Sequence, residues 1–173
     1  MLTLYYQNED DRAYGLAGMA ISLAALDAID RIAGISIDSA GPMVSFSHEY
    51  YFSGSPSISP KSTWNNLINN FYITSSMVVS NVLARSLVRT GEEVPESILD
   101  KIRDEMIAEG QDSCSLESDE VERLFARSLS GMRRIFANRR LYPAIEQFAG
   151  LVARKRTMTG NEIYDELRAL ILI

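Results

Sequence analysis

Few side chains in this sequence could carry out acid–base or nucleophilic chemistry in a compact arrangement. One short polar set has the right residue types: His48, Glu49, Tyr50 and Tyr51. His48 is the only histidine in the chain, so it cannot form a metal site that needs two imidazoles on one ion. His48 alternates with Val44, Phe46 and Tyr50 on one face of a predicted strand, so we interpret it as a partly buried packing residue.

Three other groups have the residue types of a site but also a simpler explanation. Acidic residues cluster at Glu92, Glu93, Glu96 and Asp100, as they do at a solvated helix start. Ser128 precedes Gly131, but a predicted helix there lacks the strand–turn–helix elbow of a nucleophilic serine. Cys114 is the only cysteine, which excludes an internal disulfide, and we expect residues 111–115 to form a loop.

The elements that would position these residues are mostly helical. Helical periodicity, caps and Gly or Pro breaks predict helices over residues 10–32, 62–89, 95–110, 118–138, 143–156 and from 159 onward. Gly34 is expected to stop the first helix, and Ser62 or Thr63 to cap the second. Alternation over residues 35–38 and 43–52 predicts a hairpin or short sheet. The expected fold class is therefore mainly α with a small β-sheet or hairpin (α+β).

Length and charge restrict the class of protein. The 173 residues fit a single domain, residues 1–173, with an N-terminal half 1–110 and a C-terminal helical half 111–173. A net charge of −6 argues against nucleic acid as a partner, because nucleic acid rewards clustered Lys and Arg. No run of about 18 apolar residues and no basic leader segment occurs, so we expect no membrane span and a cytoplasmic location.

Two segments resemble one known family. The run Tyr14-Gly15-Leu16-Ala17-Gly18-Met19-Ala20 is similar to the Tyr/Ala-His-Glu-Ala-Gly-His-Ala motif in the peptidase domain of the FtsH-type AAA zinc metalloproteases. Asn138-Arg139 and the later run Thr157-Met158-Thr159-Gly160-Asn161-Glu162-Ile163 resemble the helical tail of that domain. The resemblance runs in the same order over nearly the whole chain, and it implies an FtsH peptidase-like helical bundle.

The residues that carry the family's chemistry are replaced here. Gly15 stands for the first metal histidine, Leu16 for the catalytic glutamate and Met19 for the second metal histidine. The third ligand position corresponds to Val82 or Pro95. Glycine and leucine donate nothing to a metal, and a thioether alone is a poor zinc ligand. We therefore expect no zinc, no cofactor and no enzyme activity, with Leu16 and Met19 filling the former metal space.

The resemblance then implies a binding role. We expect a catalytically inactive, FtsH peptidase-like domain that binds a protein or peptide along the strand of Val44, Phe46, His48 and Tyr50, by the strand addition that zinc proteases use. Because the family assembles as a ring, a homo-oligomer is also expected. The alternatives are a hydrolase with a non-zinc site at residues 48–51, and a regulatory subunit of an intact FtsH-type protease.

Overall fold

The computed structural model describes residues 4–47 and 60–170, and within them the fold is mainly helical with one small sheet, as expected. The helices are α1 (Glu9–Ala25), α2 (Pro60–Leu83), α3 (Glu96–Cys114), α4 (Ser118–Phe136), α5 (Tyr142–Lys155) and α6 (Gly160–Ala169). The strands are β1 (Ile32–Ser36), β2 (Val44–Phe46) and β3 (Thr157–Thr159). A π-helical turn, Ala84–Val88, continues α2, and short 3-10 turns cover Ile29–Arg31 and Arg139–Leu141.

Helix α1 forms the centre of the fold. The Asn8 side chain caps it by accepting a hydrogen bond from the Asp11 N–H at 2.8 Å, and acidic residues follow in the first turn. Most of its length is buried, as its nearly continuous apolar composition predicts. Gly18 allows close approach to α2, because a Cβ there would lie 2.2 Å from the carbonyl oxygen of Ser80. Helices α2 and α5 both pack against it.

The predicted end of the first helix was wrong. Helix α1 stops at Ala25, and Asp27 has a φ of 52°, in the left-handed region that ends helices. The chain then enters β1 at Ile32, so Gly34 lies in a strand and does not stop the helix. A Cβ at Gly34 would lie 2.8 Å from the carbonyl oxygen of Met158, which explains a glycine in the middle of this sheet.

Two further boundaries differ from the expectation. Helix α2 begins at Pro60, so the positions of Ser62 and Thr63 lie inside the helix and not at its boundary. Helix α3 continues through Gly110 to Cys114 and ends at Ser115, whose φ is 54°. Residues 111–114 are therefore helical and not a loop. Gly110 instead permits close packing, since a Cβ there would lie 2.5 Å from Cγ2 of Val121.

The sheet is antiparallel, with the strand order β2-β1-β3. Ile35 pairs with Val44 of β2 on one side and with Met158 of β3 on the other. Strand β3 leads into α6 through the predicted capping box, in which the Thr159 N–H donates to Oε2 of Glu162 at 2.9 Å. The sheet therefore ties the segment after α1 to the C-terminal helix.

One segment of the described chain, Trp64–Val88, is long and apolar enough by length and composition to cross a membrane. Its best window has a mean hydropathy of 1.2, and 78% of that window is buried inside the fold. The central helix of a folded core meets the same two criteria. Length and composition alone therefore do not assign this segment to a membrane.

Candidate functional site

The three positions that the resemblance singles out, Gly15, Leu16 and Met19, face the interior of the fold. Leu16 is 0% exposed and belongs to the main hydrophobic core. Met19 is half-buried and packs at the edge of that core. Leu16 and Met19 therefore pack into the core. In the FtsH-type family that the sequence resembles, these two positions hold a catalytic glutamate and a metal ligand.

Gly15 is held against a polar side chain of α2. A Cβ at Gly15 would lie 2.6 Å from Nδ2 of Asn81 and 2.9 Å from Cε1 of Tyr6. A histidine at this position would have to displace both residues. Of the two positions suggested for a third ligand, Val82 is buried in the apolar core, and Pro95 immediately precedes α3. The α2 residue that meets position 15 is Asn81, which the resemblance did not single out.

An apolar groove opens beside Met19. We call it the Met groove. It has a volume of about 260 Å³ and lies between α1, α2 and the segment that contains β2. Its lining consists of Met19, Pro42, Met43, Val44, Phe46, Thr74, Met77 and Val78. The groove thus brings together Met19, which the resemblance singles out, and the described part of the predicted peptide-binding strand.

Strand β2 lies at an edge of the described sheet. Just before it, the Met43 carbonyl accepts from the Ser36 N–H at 2.8 Å, and just after it, the Ser47 N–H donates to the Arg31 carbonyl at 2.7 Å. Both groups therefore point toward β1. Because backbone groups alternate along an antiparallel strand, the N–H and C=O of Val44 point away from β1, in the direction of a further strand.

A buried ion pair joins the start of α1 to the π turn, and sequence reasoning missed it. Nε of Arg85 donates to Oδ1 of Asp11 at 2.9 Å, and Nη2 donates to Oδ2 at 2.7 Å. Both side chains are 1% exposed. An arginine inside a long apolar helix was the signal that could have found it, since such a charge is buried only with a partner.

The same arginine holds the segment that precedes α1. Its Nη2 donates to the Tyr5 carbonyl at 3.0 Å, and its guanidinium lies over the Tyr6 ring at 4.7 Å. Nδ2 of Asn81 donates to the Tyr6 hydroxyl at 2.7 Å. Asn81, which occupies the space beside Gly15, is therefore itself part of this polar network.

Burial and partners act in opposite directions on the titratable groups of this network. Burial raises the pKa of Asp11, but hydrogen bonds from Arg85 and the Gln7 N–H outweigh it, so the pKa lies below its usual value. Burial raises the pKa of Tyr6, although the hydrogen bond from Asn81 opposes that rise. The structure therefore keeps Asp11 ionised and Tyr6 neutral at neutral pH.

The serine, the cysteine and the acidic cluster considered from the sequence have contacts that suit a structural role. The Ser128 hydroxyl is buried and accepts from the Ser76 hydroxyl at 3.3 Å, within the core between α2 and α4. Burial raises the pKa of the Cys114 thiol, which disfavours the thiolate needed for a nucleophile. In the acidic cluster, Asp100 pairs with Arg103 at 3.0 Å, as on a solvated helix.

Several predicted residues lie outside the described part of the chain. They are His48, Glu49, Tyr50 and Tyr51, so the outer half of the predicted peptide-binding strand and the alternative hydrolase site stay predictions. Within residues 4–47 and 60–170, no three His, Cys, Asp or Glu side chains come together as a metal site would require.

Comparison with protein-family models, with curated proteins and with solved structures finds no match to this chain.

Proposed function

We propose that this protein is a peptide-binding module in which the Met groove and the edge of β2 bind an extended apolar segment of a partner protein. On this proposal, the chain is a relative of the FtsH-type peptidase domain that has lost the zinc site and kept the substrate-binding surface. The observation that carries it is the position of Met19, which lines the same groove as Val44 and Phe46.

The lining of the groove suits side chains of varied shape. Met19, Met43 and Met77 supply three flexible thioether side chains, which can repack around different apolar groups. A volume of about 260 Å³ accommodates one or two apolar side chains of a partner. An extended peptide places every second side chain on one face, so it could insert alternate residues into this groove.

The backbone of β2 supports strand addition. The outward N–H and C=O of Val44 are the groups that a partner strand would pair with, while the Val44 side chain lines the groove. A bound segment would then gain main-chain hydrogen bonds and apolar contacts from the same short strand. This combination favours an extended ligand over a helical one.

The packing around α1 supports the part of the proposal that this protein has no catalytic zinc site. Leu16 replaces the general base with a core residue, and Asn81 and Tyr6 fill the space beside Gly15. A water molecule activated by zinc needs an open coordination position between imidazoles. The described surroundings of positions 15, 16 and 19 supply packing in place of that arrangement.

Binding to synthetic peptides that alternate valine with threonine tests the proposal. We expect Met19→Gln to weaken binding about tenfold, because a polar amide replaces an apolar contact in the groove. Leu129→Gln is the matched control: Leu129 is also half-buried on a helix but does not line the groove, so binding should stay within about twofold. Fluorescence anisotropy of labelled peptides measures both. An equal effect of the two substitutions, or no binding to the wild type, would contradict the proposal.

Strand addition is separated from groove filling by two changes at one residue. Val44→Ala removes the side chain and keeps the outward N–H, whereas Val44→Pro also removes that donor. The loss of affinity should therefore be larger for Val44→Pro. Ser45 is unsuitable for this test, because it pairs with Gly34 of β1 and a proline there would break the sheet itself.

A further inference from the structure

A second apolar depression adjoins the Met groove. It has a volume of about 230 Å³ and lies between α2 and α3. Thr74 and Val78 line both cavities, so this one turn of α2 forms their common wall. Phe71, Ile102 and Met106 supply the rest of its apolar lining. A peptide that leaves the Met groove across Thr74 and Val78 would therefore enter a second apolar site.

The outer wall of this depression is acidic. Glu105 and Glu109 line it from one face of α3, and both are exposed. Within the described residues, no Lys or Arg lies within ion-pair distance of either carboxylate, whereas the neighbouring Asp104 pairs with Arg103 at 3.3 Å. Two like charges one helical turn apart repel each other, so a cation placed between them would stabilise both.

We propose that the bound partner segment carries a lysine or arginine next to its apolar residues, and that this cation pairs with Glu105 and Glu109. The inference rests on the proposed function, since the apolar residues are those that fill the Met groove. Charge complementarity favours this kind of ligand. Its apolar residues fit the two cavities, and its basic end pairs with Glu105 and Glu109. An anionic lipid surface is disfavoured by the same two carboxylates and by the net charge of −6.

Three otherwise identical peptides test this inference. Each alternates valine with threonine, and the last residue is lysine, glutamine or glutamate. The wild type should bind the lysine peptide about three- to tenfold more tightly than the glutamine peptide, and the glutamate peptide most weakly, as expected for two exposed ion pairs. The preference should nearly vanish in about 1 M salt, where the screening length falls to about 3 Å.

Charge variants of the protein localise the effect. The double variant Glu105→Gln/Glu109→Gln should bind all three peptides alike, and Glu105→Lys/Glu109→Lys should prefer the glutamate peptide. The control Glu122→Gln/Glu146→Gln removes the same charge from exposed positions on α4 and α5, so it should keep the wild-type preference.

The possible failures are distinguishable. If the wild type binds the three peptides equally well, the basic preference is wrong and the proposed function stands. If the wild type binds none of them, the proposed function fails and the inference fails with it. If the wild type dimerises in sedimentation and Met19→Gln abolishes the dimer, a second copy of the chain occupies the groove, and the inference of a basic partner segment is overturned.

Discussion

Replacement of Arg85 by methionine is expected to lower the free energy of unfolding by about 3–5 kcal/mol. The substitution keeps much of the side-chain volume but removes the guanidinium that makes two hydrogen bonds to Asp11. The carboxylate of Asp11, which is 1% exposed, would then keep only Arg89, at 3.3 Å, as a cationic partner, beside the hydrogen bond from the Gln7 N–H. Chemical denaturation monitored by circular dichroism measures the loss.

A matched control and a double substitution identify the cause. Arg103→Met removes an arginine that is 40% exposed in its pair with Asp100, and it should change the free energy of unfolding by less than about 1 kcal/mol. Removing both buried charges, in Asp11→Leu/Arg85→Met, should recover much of the loss. A small effect of Arg85→Met, or additive losses in the double variant, would show that the pair is not tightly coupled.

The pair also predicts a pH dependence. The folded pKa of Asp11 lies below its usual value, so the pair's stabilisation is present above the unfolded pKa and is lost as the pH falls through the folded pKa. The stability difference between the wild type and Asp11→Asn should therefore be largest near neutral pH and should shrink in acid.

Leu16→Glu is the second change with a large expected effect. It restores the residue that the resembling motif has at this position, but it places a carboxylate where the side chain is 0% exposed. We expect the free energy of unfolding to fall by about 4–5 kcal/mol, because an unpaired charge replaces a core leucine. Thermal denaturation in metal-free buffer should show a much lower midpoint temperature than the wild type.

A control variant and a triple variant complete this test. Gln147→Glu puts the same carboxylate on an exposed position of α5, and its effect should stay within about 0.5 kcal/mol. In Gly15→His/Leu16→Glu/Met19→His, zinc should not restore stability, since Asn81 and Tyr6 occupy the space beside position 15. Stoichiometric zinc with recovered stability would contradict the expectation that packing fills the space beside position 15.

Local chemistry predicted much of the fold. The Thr159–Glu162 capping box and the acidic start of α4 are short-range signals, and both helices begin where those signals place them. The end of α1 was not predictable in this way, because residues 32–36 leave the helical pattern to pair with two strands that are distant in sequence. The predicted helix end at Gly110 was wrong because of another tertiary contact. This glycine allows close packing against Val121 and does not end the helix.

The candidate site was predictable only in part. The alternation that includes Val44 and Phe46 correctly indicated a strand, and the composition of α1 indicated a buried helix. The meeting of Met19 with Met77 and Val78 depends on how α1 crosses α2, which no local pattern reveals. The roles of Asn81 and Arg85 are likewise tertiary, since their partners lie more than 70 residues away.

Methyl NMR of protein labelled at its methionines tests the proposed peptide site most directly. On titration with the valine–threonine peptide ending in lysine, the methyl signals of Met19, Met43 and Met77 should shift, because all three line the groove. Those of Met132 and Met158, which are buried elsewhere in the core, should stay in place. Unchanged groove signals at a peptide concentration that saturates binding, or shifts confined to Met132 and Met158, would contradict the account.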